Sequence, residues 1–322
     1  MKKALKIVGI ALGTVVLLIA AAALYFNIKG IPYYEVNAPE VTVEPTPERV
    51  ARGEYIVNQT CVICHLGKDG KLSGTLMEDD PDFGTWYAPN ITQHPEAGIG
   101  KYTDGELMYL LRTGIKHDGE FALPFMPRFN LLSDEDVKSI IAYLRSDAPR
   151  VQPVGTPPPP NEPTLLAKVV ANLAMKPLPY PEAAITAPPR TDEVAYGKYL
   201  VNGVMMCFSC HSASFETLDE VTPENSEGYL GGGNRIINPQ DRTIAAPSAN
   251  ITMHPELGLG QWTKEQFANA VRFGQGADGV ALSPAMPKYT LMSEEDISAI
   301  WAYLQTVPVV DKALAEAGTA NE

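Results

Sequence analysis

The polarity pattern of the chain begins with one long apolar segment. Three lysines fall within the first six residues, and residues 7–26 then contain no charged side chain. As an α-helix this segment spans about 30 Å, the thickness of the hydrocarbon core of a bilayer. The lysines before it outnumber the single Lys29 just after it, which favours a cytoplasmic N-terminus and a body outside. We therefore expect residues 1–30 to be an uncleaved membrane anchor; a signal peptide cleaved near residues 20–23 is the alternative.

The remaining chain carries helix signals at matching places in its two halves. Cap residues followed by a proline or an acid, and apolar residues at helical spacing after them, predict three helices in each half. Gly114 and Gly274 mark the end of the second helix in each half. No run alternates convincingly as a strand, so the predicted fold class is all-α. The six predicted starts are residues 46–48, 103–104 and 133–136, then 191–193, 263–264 and 293–296.

The two halves are copies of one unit. Residues 90–100, which read NITQHPEAGIG, recur as residues 250–260, which read NITMHPELGLG. Each copy then places a Met-Pro pair 36 residues after its first asparagine. The second copy carries a 14-residue insertion within residues 212–248, where the run Gly231–Gly233 indicates a turn. A fixed internal period of this kind predicts a duplicated domain.

The linker between the copies is rich in proline. Pro157–Pro160 predicts an extended, semi-rigid segment, and residues 164–176 predict a short helix packed across the domain junction. The predicted organisation is an anchor at 1–30, a first domain at 31–150, a linker at 151–189, a second domain at 190–310 and a tail at 311–322.

The charge balance narrows the class of partner. The 322 residues carry a net charge of −13, whereas a protein that binds nucleic acid needs a basic footprint. Nucleic acid is therefore excluded as a partner, and docking to a basic protein surface is permitted.

The four cysteines form two identical motifs. Cys61-Val62-Ile63-Cys64-His65 and Cys207-Phe208-Ser209-Cys210-His211 both have the C-x-x-C-H spacing of c-type haem attachment. Two thiols three residues apart on a helical turn reach the two vinyl groups of a porphyrin, and the histidine then faces the iron. A structural zinc site needs four convergent ligands, and a thioredoxin-like pair needs a βαβ context. We predict two covalently bound haem c groups.

The sixth iron ligands are predicted to be methionines. Met126 lies 61 residues after His65, and Met286 lies 75 after His211, with the insertion accounting for the difference. A thioether opposite imidazole gives a six-coordinate iron with a raised potential, suited to electron transfer. His94 and His254 also match in register, so bis-histidine ligation is the rival, although a structural loop role is preferred.

Four further residues are candidates for contact with the haem propionates. Asn90 and Asn250 are expected to hydrogen-bond a propionate, and Arg128 and Lys288 are expected to pair with one electrostatically. No Ser/His/Asp triad, phosphate-binding glycine loop or paired-carboxylate site is evident, so no catalytic residue is predicted.

These motifs resemble those of a known family, the multihaem cytochrome c subunits of bacterial membrane-bound alcohol, aldehyde and gluconate dehydrogenases. The likeness covers residues 46–148 and 190–307 and includes C-x-x-C-H, Asn-Ile-Thr, Asp-Gly, Met-Pro and Ala-Tyr-Leu in both copies. It implies tandem class I cytochrome c-like domains and electron transfer from a dehydrogenase toward quinone or an oxidase. The chain departs from the family in carrying two motifs where three are common, and His94 and His254 where aspartate is common.

The expected function is that of a membrane-anchored dihaem cytochrome c. The anchor places it as a single-pass protein of the bacterial inner membrane, with its haem domains in the periplasm. It relays electrons between a membrane-associated dehydrogenase or quinol-oxidising complex and a downstream acceptor or oxidase, without catalysis of its own. The alternative is a dihaem enzyme of the peroxidase or thiosulfate dehydrogenase type, which requires one iron with an exchangeable sixth position.

Overall fold

The structure is a computed structural model that describes residues 2–238 and 244–311. Its α-helices lie in the order expected from the cap signals, with short helices added at the two cysteine motifs. The helices are α1 (Lys2–Lys29), α2 (Pro47–Gln59), α3 (Val62–His65), α4 (Asp104–Thr113), α5 (Asp134–Leu144), α6 (Leu165–Leu173), α7 (Glu193–Tyr199), α8 (Cys207–His211), α9 (Lys264–Phe273) and α10 (Glu294–Leu304).

The predicted helix ends are confirmed by hydrogen bonds. Thr46 accepts a bond from the N–H of Arg49 at the start of α2, and Gly114 ends α4 with a left-handed backbone at φ 82°. In α4 and α9 the cap is reciprocal: the threonine side chain accepts from the third helical residue, whose own side chain accepts from the threonine N–H. Such caps satisfy backbone donors that a helix start leaves without a partner.

Short strands depart from the predicted all-α class. They occupy loops of both copies and the linker, and they were missed because each has at most five residues and no apolar alternation. β1 also contains a register shift between Leu76 and Glu78. The strands are β1 (Leu76–Asp80), β2 (Gly84–Tyr87), β3 (Glu162–Pro163), β4 (Arg235–Ile237) and β5 (Ala245–Pro247); β1, β2 and β3 form one antiparallel sheet and β4 and β5 another.

The chain divides into two compact units. The first contains Met1–Thr42, Cys64–Arg128 and Asp147–Pro179, and its apolar core includes Trp86, Phe121 and two alanines of α6. The second contains Val43–Ile63, Phe129–Ser146 and Tyr180–Glu322. The second unit thus holds α2 and α5 together with the whole second copy, and the repeat-based domain boundaries stay a prediction.

In the second unit, the first and third helices of each copy cross at a glycine. α2 packs against α5 and α7 against α10. A Cβ at Gly53 would lie 1.9 Å from the carbonyl oxygen of Ser139, and a Cβ at Gly197 would lie 1.9 Å from that of Ala299. Only glycine allows helices to approach this closely, so the two positions fix how each helix pair crosses.

A π-helix distinguishes the second copy. Cys61 follows Gly53 by eight residues, whereas Cys207 follows Gly197 by ten. The π-helix Leu200–Val204 continues directly from α7, and Met206 then adopts a left-handed backbone at φ 48°. The π-helix and the left-handed Met206 thus lie where the second copy has two more residues than the first.

α1 is long and apolar enough to cross a membrane, and no other helix in the described part of the chain is. None of its residues is buried.

Candidate cofactor site

Each cysteine motif forms a short helical turn. Cys64 and His65 lie in α3, and Cys61 precedes it, with its N–H bonded to the carbonyl of Val57 at 3.0 Å. In the second copy, both Cys207 and His211 lie within α8. In each motif one short helical segment therefore carries the two thiols and the imidazole, as the C-x-x-C-H spacing predicts.

The two motif histidines make the same hydrogen bond. Nδ1 of His65 lies 2.8 Å from the carbonyl oxygen of Pro89, and Nδ1 of His211 lies 2.7 Å from that of Ala249. A carbonyl only accepts, so Nδ1 carries the proton and donates, and Nε2 keeps its lone pair. Burial lowers the pKa of both imidazoles and so favours the neutral form. In metal sites such a bond fixes the tautomer and orientation of a histidine ligand.

A glycine approaches the backbone of each histidine. The N–H of Gly74 donates to the carbonyl of His65 at 2.9 Å, and that of Gly232 donates to the carbonyl of His211 at 2.8 Å. Both glycines have positive φ, and a Cβ on Gly232 would lie 2.4 Å from the carbonyl carbon of Ala249. Gly232 therefore has a counterpart in the first copy, and the run Gly231–Gly233, predicted as a turn within the insertion, is a packed element that supports the second motif.

This match locates the insertion. Leu72 and Leu230 each accept the N–H of an isoleucine, Ile91 and Ile251, at 2.9 Å, so they occupy equivalent places. Leu72 lies seven residues after its histidine, whereas Leu230 lies 19 residues after His211. Most of the extra chain is thus inserted between the motif histidine and this contact.

None of the four cysteines forms a disulfide in the structure, and all four are partly buried. Desolvation raises the pKa of the Cys64 thiol, and it raises that of Cys207 to about 12. A raised thiol pKa is unlike the lowered pKa of a cysteine in a redox pair. Among the described residues no three His, Cys, Asp or Glu side chains are grouped together. Each motif offers two thiols and one imidazole, a donor set that fits covalently attached haem, whereas structural zinc is held by four ligands.

The two predicted methionine ligands lie in equivalent turns. Met126 N–H donates to Leu123 O and Met286 N–H to Ser283 O, both at 3.0 Å, and both side chains are partly buried. In the second copy, Tyr289 follows Met286 by three residues and is buried, which raises its pKa.

The rival histidines are used within their own loops. Nδ1 of His94 accepts the N–H of Glu96 at 3.2 Å and of Ala97 at 3.0 Å. Nδ1 of His254 accepts the equivalent N–H groups of Glu256 and Leu257 at 3.1 and 3.0 Å. An aspartate carboxylate would accept the same two N–H groups, so histidine can take the loop role of the aspartate that the family resemblance leads us to expect.

The propionate candidates have mainly structural contacts. Oδ1 of Asn90 accepts from the N–H and hydroxyl of Thr92, and its Nδ2 donates to Val154 O at 2.8 Å. Asn250 repeats the pattern, with its Nδ2 donating to Val310 O at 2.9 Å. Arg128 is buried whereas Lys288 is exposed, so this pair is not equivalent.

The residues that position the motif histidines and the helices were not predicted from the sequence. Pro89 and Ala249 act through their backbone carbonyls, and no pattern of side chains identifies a carbonyl. The repeated Asn-Ile-Thr that follows each of them was the only sequence feature that pointed to these positions. Gly53 and Gly197 each precede a Tyr by two residues in both copies, and the repeated Gly-x-Tyr was the corresponding signal there.

Comparison with known proteins agrees with this chemistry. The model of the family described as "Cytochrome C oxidase, cbb3-type, subunit III" matches residues 48–144. The "Fructose dehydrogenase cytochrome subunit" of Gluconobacter japonicus is 30% identical over 84% of this chain and 56% of its own length. The "Alcohol dehydrogenase (quinone), cytochrome c subunit" of Gluconobacter oxydans (strain 621H) is 30% identical over 81% of this chain and 55% of its own. The chain thus spans little more than half the length of these relatives.

A shorter relative matches nearly end to end. The "Diheme cytochrome c-type" protein of Cereibacter sphaeroides is 27% identical over 93% of this chain and 98% of its own length. With the histidine geometry, these matches define the class: a c-type cytochrome that binds haem c and takes part in electron transport. More particularly, the chain is a relative of the cytochrome c subunits of fructose, alcohol and gluconate dehydrogenases, which confirms the resemblance seen in the sequence.

Proposed function

We propose that the chain is a dihaem cytochrome c that relays electrons between a dehydrogenase or quinol-oxidising complex and a downstream acceptor or oxidase. The observation that carries this proposal is the paired histidine geometry. His65 and His211 each donate from Nδ1 to a carbonyl at an equivalent place, Pro89 and Ala249, which leaves Nε2 of each ring as a metal donor.

The cofactor residues follow from the repeat. One haem would be held by Cys61, Cys64 and His65, with Met126 as the second protein ligand of its iron. The other would be held by Cys207, Cys210 and His211, with Met286. When bound, haem c supplies a reversible one-electron change at iron, and methionine ligation raises its reduction potential. The chain's residues would hold a neutral imidazole and a thioether as the two protein ligands of each iron, which would leave no position open to a substrate and suits electron transfer.

The domain organisation and location complete the proposal. The duplication supports two tandem class I cytochrome c-like domains at 31–150 and 190–310, with 151–189 as the linker. α1 supports a single-pass anchor in the bacterial inner membrane, with both domains on the periplasmic side. A dehydrogenase is the proposed partner, because the names of several relatives describe dehydrogenase subunits.

Ligation is tested by near-infrared absorption of the ferric protein. Methionine bound to ferric haem gives a weak near-infrared band, so Met126→Ala and Met286→Ala should each remove part of it and the double variant all of it. Met108→Leu is the control, because Met108 is a buried methionine that is not proposed to bind iron. A wild-type protein without the band would overturn methionine ligation.

Electron transfer itself is tested by redox titration and by turnover. We expect two one-electron steps, low-spin iron in both copies and no appreciable hydrogen peroxide consumption. A large high-spin signal with rapid peroxide turnover would contradict the relay proposal and support the dihaem enzyme.

A further inference from the structure

The linker helix α6 has two unlike faces. Ala167 and Ala171 are buried in the core of the first unit, against a cluster that includes Trp86 and Phe121. The rest of the helix surface is mainly apolar, with Lys168 and Asn172 along one edge. We call its apolar part the α6 outer face; its residues are Leu165, Leu166, Val169, Val170 and Leu173.

The α6 outer face remains accessible in the structure. Leu166 is 47% exposed and Leu173 is 65% exposed, while the two valines are half-buried. A helix that is apolar on both faces needs cover on both, because exposed leucines cost free energy in water. The protein core covers only one face.

Two hydrogen bonds join α6 to the end of the predicted membrane anchor. Lys168 Nζ donates to Oδ1 of Asn27 at 2.8 Å, and Nδ2 of Asn172 donates to the carbonyl of Gly30 at 2.8 Å. The uncharged segment of α1 ends at residue 26. Residues 27–30 therefore lie where the helix leaves the hydrocarbon core, and α6 is held at that level.

Aromatic and basic residues mark the same level. Tyr25 lies in the last turns of α1, with the ammonium of Lys29 5.7 Å from its ring centroid, and tyrosines are enriched at the membrane–water boundary. Residues 163–181 contain two lysines and no acidic side chain, although the whole chain has a net charge of −13. This local basic character suits the anionic headgroups of a bacterial membrane.

We propose that α6 is an interfacial helix, with its outer face buried among the lipids of the bilayer that α1 crosses. The leucines and valines would enter the boundary between headgroups and acyl chains, and Lys168 and Lys176 would lie at the level of the lipid phosphates. The inference rests on the anchor proposed above. It assigns the linker a function: it fixes the first unit against the membrane surface.

The test uses the full-length holoprotein in vesicles that contain phosphatidylglycerol and phosphatidylcholine. Nitroxide labels are attached to single cysteines made by Leu166→Cys and Leu173→Cys. Leu291→Cys, at a leucine of similar exposure in the second unit, is the matched reference, and Leu17→Cys reports on the anchor. Collision with lipid-soluble dioxygen is compared with collision with a water-soluble nickel chelate.

We expect the ratio of dioxygen to nickel collisions at Leu166 and Leu173 to be several-fold above that at Leu291. Equal ratios would overturn the inference, and the anchor would still stand if the Leu17 label lies in lipid. A Leu17 label in water would overturn the anchor and, with it, the inference that rests on the anchor. Spin–spin broadening between Leu173 labels at high lipid-to-protein ratio would show that a second copy covers the face, and would also overturn the inference.

Discussion

Tyr199 on α7 donates a hydrogen bond to Oδ2 of Asp136 on α5 at 2.6 Å. Its hydroxyl oxygen also accepts the N–H of Ser133, the N-cap of α5, at 3.0 Å. A tyrosine from the first helix of the second copy thus completes the start of the third helix of the first copy. All three residues lie in the second unit.

The first copy makes the equivalent contact to the third helix of the second copy. Tyr55 on α2 donates to Oδ2 of Asp296 at 2.5 Å, and its oxygen accepts the N–H of Ser293 at 3.3 Å. Within each copy an arginine holds the same carboxylate, with Arg52 bound to Asp136 at 2.7 Å and Arg190 to Asp296 at 3.1 Å. The two copies are therefore joined by an exchange of tyrosines around two buried aspartates.

Removing either tyrosine hydroxyl should destabilise the protein. Tyr199→Phe and Tyr55→Phe each leave a buried carboxylate and a backbone N–H without one partner, so each should lower the free energy of unfolding by about 1–3 kcal/mol. Guanidinium unfolding of the holoprotein measures the change. Tyr33→Phe is the control, because the Tyr33 hydroxyl is exposed, and it should change stability by less than about 0.5 kcal/mol. Equal stabilities for all three variants would contradict the role of the exchanged tyrosines.

The same contact predicts a dependence of stability on alkaline pH. Burial, with the hydrogen bond to Asp296, raises the pKa of Tyr55 to about 12. The unfolded chain loses this proton near pH 10, so the folded state binds more protons between pH 10 and 12, and stability falls as the pH rises through this window. The slope from one such group is at most about 1.4 kcal/mol per pH unit. Unfolding free energies across this range should fall less steeply in Tyr55→Phe than in wild type; parallel slopes would contradict the assignment.

Both helix-crossing glycines should reject a methyl group. Gly53→Ala and Gly197→Ala each place a Cβ within 2 Å of a backbone carbonyl oxygen, which cannot move without displacing a helix. Overpacking of this kind costs about 1–3 kcal/mol or more, measured as a lowered midpoint of denaturant unfolding. Glu54→Ala, an exposed neighbour on α2, is the control and should be nearly neutral. A neutral Gly53→Ala would show that the two helices do not cross at this position.

His94 should be replaceable by aspartate but not by alanine. Since Nδ1 of His94 accepts two backbone N–H groups, His94→Asp should keep these bonds, whereas His94→Ala should cost about 1 kcal/mol. Thermal unfolding measures the difference, and the visible spectrum of the haem should be unchanged in both variants. A change of spin state in His94→Ala would instead support histidine ligation.

Cap residues and helical spacing in the sequence predicted the helices well. They could not predict contacts between residues that are distant in the sequence. Residues 133–136 were predicted to start a helix, and Ser133 does accept the N–H of Asp136 at 3.1 Å. The carboxylate, however, binds Arg52 and Tyr199, and the hydroxyl of Tyr199 takes the N–H of Ser133. Nothing within the four-residue motif specifies a tyrosine 63 residues away.

The candidate cofactor site also has parts that the sequence predicted and parts that it did not. The cysteines and histidines were predicted because covalent haem attachment demands those side chains at a fixed spacing. The carbonyls of Pro89 and Ala249 were not, because any residue supplies a carbonyl and only the folded loop directs it at Nδ1. The short strands escaped prediction for a related reason, since pairs of two to five residues are set by the loops that they connect.

The central claim is that each motif holds its own haem c, and intact-mass spectrometry of the denatured chain tests it most directly. Covalent haem survives denaturation, so the wild-type chain should carry the mass of two haems. Cys61→Ala with Cys64→Ala should leave one, and Cys207→Ala with Cys210→Ala should also leave one. A wild-type chain with a single haem or none, or either double variant still carrying two, would contradict the account.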